Sequence, residues 1–189
     1  GPAGLGEGFI GNRWIGDPYA RAVALAEGNS IVVDLDTAPV QPKPKPRVAW
    51  EDMVIYETHV RHFTQDPSSG VPEELRGTYP GVLATRGTGA GLDHLKALGV
   101  NVIQFMPIHE FNNGFARRHD WGYASCFFFA PESSYASDPR AGTQVAEFKQ
   151  LVHELHQEGF AVFLDVVYNH IGGVNVFNQI DRKYYFRLN

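Results

Sequence analysis

The sequence contains a single cysteine, Cys126, in 189 residues. An internal disulfide and a cysteine metal cluster are both excluded, and the compartment stays open, leaning to the cytoplasm with secretion as the alternative. A basic stripe is also missing. Sixteen Lys and Arg stand against 21 Asp and Glu, for a net charge of −5, so the footprint that tracks a phosphate backbone is absent and nucleic acid is not an expected partner. No apolar run reaches the roughly 18 residues of a membrane span, and the glycine-rich start lacks the basic and apolar regions of a signal peptide. Membrane is therefore not an expected partner either. What the chain does have is aromatics, 13% of residues. In a cleft these offer flat faces to sugars, bases or other rings, and elsewhere they fill a core.

The organising stretch is Ala161 to His170, AVFLDVVYNH. Its apolar and β-branched opening predicts a strand buried on both faces, and its polar end places Asp165, Asn169 and His170 where strand passes into loop. Upstream, Ser30 to Leu35 reads as a short strand, and Pro39 to Pro46, PVQPKPKP, as an extended connector. The expected division is a tail of a preceding domain at 1–38, a proline-rich linker at 39–47 and a second unit at 48–189. Within that unit Val54 to Val60 and Val102 to Ile108 predict strands, and Leu92, Leu95 and Leu98 one face of a short helix ending at Gly99. Thr143 is an expected N-cap for a helix carrying Val145, Phe148, Leu151, Val152 and Leu155, which Gly159 ends. His109 to Thr143 reads as a long connection, and the stretch after His170 shows no helix or strand period. Strand, helix, strand, helix, strand implies a parallel sheet with right-handed crossovers and functional groups at the strands' C-terminal ends.

Three polar clusters then converge on one edge: Glu57 with His59, His109 with Glu110, and Asp165 with Asn169 and His170. Paired carboxylates suit acid-base or nucleophilic work on a glycosidic bond, and imidazole suits a sugar hydroxyl or a metal. A buried hydrogen-bonded network is the alternative for Glu57 and His59. No dense metal-ligand spacing is present, so no metal site is expected; Asn169 offers at most one oxygen to a calcium ion. Gly87 to Gly91 lacks the spacing of a phosphate loop. In His119 to Tyr123, HDWGY, two aromatics flank a glycine beside a carboxylate, an arrangement that lays a ring on a sugar or fills a barrel mouth.

Taken together, DVVYNH at 165–170, VIYETHVRHFT at 54–64, LRGTYPG at 75–81, HLKALGVNVIQFMPI at 94–108 and WGY at 121–123 resemble the α-amylase superfamily of glycoside hydrolases. Within it the resemblance is to debranching enzymes of the pullulanase and isoamylase type. It implies the first three to four βα units of a (β/α)8 barrel, preceded by the tail of a β-sandwich carbohydrate-binding module. It also implies retaining cleavage of α-glucosidic bonds, with an α-glucan polysaccharide or oligosaccharide as partner and no cofactor besides a possible calcium. Residue by residue, it gives His170 and Tyr123 the sugar next to the scissile bond, with Trp121 as a further substrate contact. It makes Asp165 a support that bonds an arginine of the catalytic centre, and Asn169 a structural or calcium-linked position. Spacing alone points to Asp165 as nucleophile, and the resemblance argues against this. The nucleophile and acid/base are expected downstream, on strands beyond the third, so the 189-residue polypeptide is expected to be inactive alone. LRGTYPG and FFAPESSYA lean to isoamylases, DPYARAV and FNQIDRKYYFR to type I pullulanases. A glucan-branching glycosyltransferase and a non-catalytic starch-binding relative are the alternatives.

Overall fold

The computed structural model describes residues 15–25, 29–34, 44–112, 121–173 and 176–187. The glycine-rich start, Leu35, the first prolines of the connector, and His119 with Asp120 lie outside the described residues. In chain order the elements are an antiparallel pair, β1 (Ala22–Val23) and β2 (Ser30–Ile31), then β3 (Ile55–Thr58), α1 (Val60–Thr64), α2 (Tyr79–Leu83), α3 (Gly91–Ala97) and β4 (Val102–Phe105). There follow β5 (His109–Phe111), β6 (Ser125–Pro131), α4 (Gln144–Gln157), β7 (Ala161–Leu164) and α5 (Val176–Tyr185).

β3, β4 and β7 form one parallel sheet in that order, with Ile55 beside Val102 beside Ala161 and Thr58 beside Phe105 beside Leu164. The alternation of β4 sorts its two faces. Ile103 and Phe105 enter a core with Tyr79, Leu92, Leu151 and Leu155 of the helices, while Gln104 on the other face donates to Glu57 Oε1 at 3.0 Å. The central strand is the buried one, as an apolar strand in a parallel sheet must be.

The strand from Ala161 is shorter and more open than its sequence implies. Pairing ends at Leu164, which is exposed, and only Ala161 is fully buried. Among the described residues β7 has β4 on one side and no strand on the other, and a sheet edge leaves its side chains partly uncovered. The first strand also ends early, at Thr58, because the His59 ring turns back to cap α1: Nδ1 accepts from the His62 N–H. α3 buries Leu92 and Leu95 but leaves Leu98 exposed. Helix α4 starts where expected, yet Thr143 has helical backbone angles and makes no side-chain cap. The Thr143 hydroxyl donates instead to the Asp138 carbonyl. The helix ends as expected, with Gly159 at φ +89, a left-handed turn open to glycine.

Two features departed from expectation altogether. The long connection contains an antiparallel hairpin, β5 with β6, in which Glu110 lies beside Phe127 and Phe111 beside Ser125. The segment after His170 contains α5, interrupted at Asp181, whose Oδ1 accepts the Lys183 and Tyr184 N–H groups and restarts the helix. A second, smaller core of Ala20, Val23, Cys126, Phe127, Ala130 and Val176 joins the stretch before β2 to this hairpin and to α5.

Buried backbone polarity is carried by single side chains at the loop crossings. Thr64, fully buried, accepts the Gly77 N–H at 2.7 Å through its hydroxyl. Thr64→Val keeps the shape and strands that N–H, so we expect a loss of about 2 kcal/mol in denaturant unfolding. A Thr64→Ser variant retaining most of that loss would show that packing, not the hydrogen bond, is responsible.

Candidate functional site

The site is built at the C-terminal ends of the parallel strands. Asp165 follows β7 directly, and its N–H donates to Phe105 O at 2.9 Å, carrying the β4–β7 ladder one step beyond the strand. Its carboxylate is thereby fixed at the sheet's edge. Tyr123, in the loop entering β6, donates its phenol to Asp165 Oδ2 at 2.7 Å. That bond, with burial and the charges of Asp165 and Glu57 behind it, pushes the Tyr123 phenol up to about 12. The phenol keeps its proton and remains the donor.

Two loops are tied together around this pair. Gly172 N–H donates to Ser125 O at 2.7 Å, and Asn112 N–H to Ala124 O at 3.1 Å. The loop holding Asn169 and His170 is thus fastened to the start of β6, next to Tyr123 in the chain. Trp121, 58% exposed, and Tyr123, 36% exposed, leave ring surface open. Asn169 and His170 are both exposed. They line a groove of about 850 Å³ with Phe128, Tyr168, Phe177 and Tyr185. Asp165, Tyr123 and Trp121 are not among the residues lining that groove, so the site has two neighbouring parts.

Of the three expected polar clusters, the Asp165 group stays at the edge, and each of the other two is split, with His59 and Glu110 turned inward. Glu57 is exposed and bonded to Gln104. His59 is buried, its Nε2 3.0 Å from the Tyr135 hydroxyl, so the alternative reading of a hydrogen-bonded network holds for it. Glu110 is completely buried, accepting from the Ser133 N–H at 2.7 Å and the Ser133 hydroxyl at 3.1 Å. It faces core rather than cleft because β5 pairs with β6 and directs it inward, a pairing invisible without the hairpin. His109 is half-buried among the Phe128 and Tyr168 rings, and burial lowers its pKa. Sequence reasoning also missed the aromatic groove itself. The signal was present in the FNQIDRKYYFR segment, whose rings follow no single period because the helix breaks at Asp181.

Among the described residues no group of three or more His, Cys, Asp or Glu is arranged to hold a metal ion. The residues beside Asn169 therefore do not build a carboxylate cage for calcium, which takes six to eight oxygens.

Parallel strands joined by helical crossovers, with polar groups at the strands' C-terminal ends, define an α/β protein of the kind that places its ligand chemistry on that edge. A family model described as alpha amylase, catalytic domain, matches residues 64–186, and the chain belongs to that family. Its relatives place it on the family's debranching side. The glycogen operon protein GlgX homolog of Mycobacterium tuberculosis is 42% identical over 154 residues, covering 76% of this chain and 21% of that protein. Isoamylase 1, chloroplastic, of Arabidopsis thaliana is 36% identical over 206 residues, covering 91% and 25%. Among solved structures, a pullulanase of Anoxybacillus complexed with maltotetraose superposes with a TM-score of 0.83 at 34% identity, covering 93% of this chain and 27% of that one. The chain thus spans about a quarter of the length of the proteins it matches.

Proposed function

We propose that this chain forms the sugar-holding side of the active cleft in a glycoside hydrolase acting on α-glucosidic bonds, chiefly α-1,6 branch linkages of starch, glycogen or pullulan. The observation that carries this reading is the Tyr123–Asp165 pair, a half-open ring pinned by a 2.7 Å hydrogen bond at the edge where β7 ends. A pinned ring gives a sugar a fixed floor at low entropy cost. The exposed His170 imidazole supplies a hydrogen bond to a sugar hydroxyl, and Trp121 a second apolar face. Asp165 orients Tyr123 through one oxygen and leaves the other for an arginine. Asn169 is a structural position beside His170, in a loop tied to β6 by the Gly172 N–H on the Ser125 carbonyl. In keeping with the family resemblance, residues 1–38 are the tail of a β-sandwich carbohydrate-binding module and 39–47 its linker.

Bond cleavage with retention needs two carboxyl groups about 5 to 5.5 Å apart across the glycosidic oxygen, one nucleophilic and one able to donate a proton. The carboxyls here that hold protons to high pH, Glu110 and Glu132, are completely buried, out of reach of any sugar. Asp165 is engaged with Tyr123. In this reading the nucleophile and acid/base come from other residues of the whole protein, and the 189-residue polypeptide alone does not hydrolyse glucan.

The test is turnover of pullulan and of a branched limit dextrin, both of which carry α-1,6 linkages, by the whole protein. Tyr123→Ala and His170→Ala are each expected to lower kcat about a hundredfold, the scale set by lost substrate positioning, with the melting temperature unchanged. Tyr123→Phe keeps the ring and should lose about tenfold to thirtyfold, the low end of the range for one hydrogen bond to a charged carboxylate. Normal turnover per folded molecule in the alanine variants, with a lowered melting temperature, would make these residues structural.

A further inference from the structure

The chain follows His170 with Ile171, Gly172 and Gly173, and these glycines hold the His170 loop closer to β6 than any side chain would allow. Gly172 is buried, and its N–H donates to Ser125 O at 2.7 Å. That bond lays the backbone of the loop directly on the backbone at the entry to β6. A β-carbon at 172 would overlap the Ala124 carbonyl oxygen and lie 2.8 Å from its carbonyl carbon and 3.1 Å from Cys126 Sγ. At Gly173 the neighbour is softer, the end of a side chain: a β-carbon there would lie 2.6 Å from the Asn112 amide nitrogen.

The two sides of the contact do not yield equally. Ala124 is fixed, because its carbonyl accepts the Asn112 N–H at 3.1 Å and the next residue, Ser125, pairs with Phe111 in the hairpin. The preceding residue, Tyr123, is bonded to Asp165. Bulk at 172 therefore lifts the loop that carries His170 and leaves Tyr123 in place. Ordinary van der Waals contact begins at 3.4 Å, so relief takes a shift on the order of 1 Å, and a shift of that size in a group that positions substrate can cost about a hundredfold.

We propose that Gly172 is a positioning residue for the reaction: by letting backbone rest on backbone, it sets the spacing between the His170 imidazole and the Tyr123 ring, so that both reach one sugar. This inference rests on the proposed function and adds to it the residue that fixes the geometry of its two sugar-holding groups.

The test is a double-mutant cycle in the whole protein, reading kcat/KM for pullulan per folded molecule. Gly172→Ala is expected to lower it about thirtyfold when His170 is present and by no more than about twofold in the His170→Ala background, since a misplaced imidazole and a missing one are equivalent. A variant that only weakened the fold would not show this dependence on His170. Equal losses in the two backgrounds, or no loss in the first, overturn the positioning role and leave the proposed function standing. Full turnover by His170→Ala overturns both. Should Gly172→Ala not fold, Gly173→Ala goes through the same cycle, because it presses on the same loop against a side chain that can give. Its expected loss is about fivefold, absent in the His170→Ala background and relieved when Asn112→Ala removes the amide. Full turnover by Gly173→Ala, or a loss that Asn112→Ala leaves in place, overturns the proposal.

Discussion

The melting temperature is expected to fall as pH rises from about 5 to about 9, and Glu110→Gln to flatten most of that fall. The cause is a pair of carboxyls set into the core beside the β5–β6 hairpin. Burial first, and then the charge of Glu132, push Glu110 up to about 9 against the opposing Ser133 hydrogen bonds. Burial likewise lifts Glu132 to about 7, although the N–H groups of Phe111 and Ser134 donate to it and Arg61 is near. Both groups bind protons more tightly folded than unfolded, where each titrates near 4.5. The stability they contribute is fully present below about 4.5, and is lost as pH climbs through 7 and then 9. His109 works the other way: its depressed pKa costs stability as pH falls below about 6.5. The slope on the alkaline side therefore belongs to the carboxyl pair.

Glu110→Gln is the informative variant because glutamine copies the protonated acid. Its carbonyl oxygen accepts the Ser133 N–H, and it has no proton to lose. At pH 9 the variant should be clearly the more stable of the two, because the unmodified Glu110 binds its proton far more tightly folded than unfolded, and at pH 5 the two should nearly coincide. Parallel pH profiles would show that Glu110 stays neutral or ionised alike in folded and unfolded chains.

The sheet was legible because its chemistry is local. HLKALGVNVIQF spells a helix face, a glycine stop and an apolar strand, and those elements stand close to where the spacing put them. Strand ends were less legible. Val166 to Tyr168 are strand-like residues, yet nothing in the sequence states where pairing stops, which depends on the neighbour β4 ending at Phe105. Glu110 illustrates the larger difficulty. A carboxylate next to a histidine just past a strand reads as chemistry, and only the pairing of β5 with Phe127 of β6 turns it into the core. The β6 run of three phenylalanines has no alternation to betray which faces inward: Phe127 is buried, Phe128 lines the groove and Phe129 stacks on Tyr19. For the site, resemblance supplied the names Tyr123, Asp165 and His170. The bond between the first two could not come from sequence, because 42 residues separate them.

Gly122→Ala is expected to cost about 4 kcal/mol and to take the site with it. Gly122 sits between Trp121 and Tyr123 with φ +91, a backbone conformation that L side chains rarely adopt. A β-carbon there would also lie 2.5 Å from the Pro107 carbonyl oxygen and 3.2 Å from the Pro107 ring. Neither neighbour can swing aside, since both belong to the rigid turn that closes β4. Strain of about 1 to 3 kcal/mol from the torsion adds to the backbone collision, and relief requires the loop to withdraw from Pro107. Withdrawal carries Tyr123 away from Asp165. Loss of sugar binding should therefore accompany the loss of stability, unlike Tyr123→Ala, which removes the ring and leaves the melting temperature alone. Under the same conditions the fluorescence of Trp121, one residue upstream, should shift as its surroundings change. Gly122→Ala that melts like the unmodified protein and binds maltotriose equally well would mean that the loop does not press on Pro107, and that Tyr123 is held by Asp165 alone.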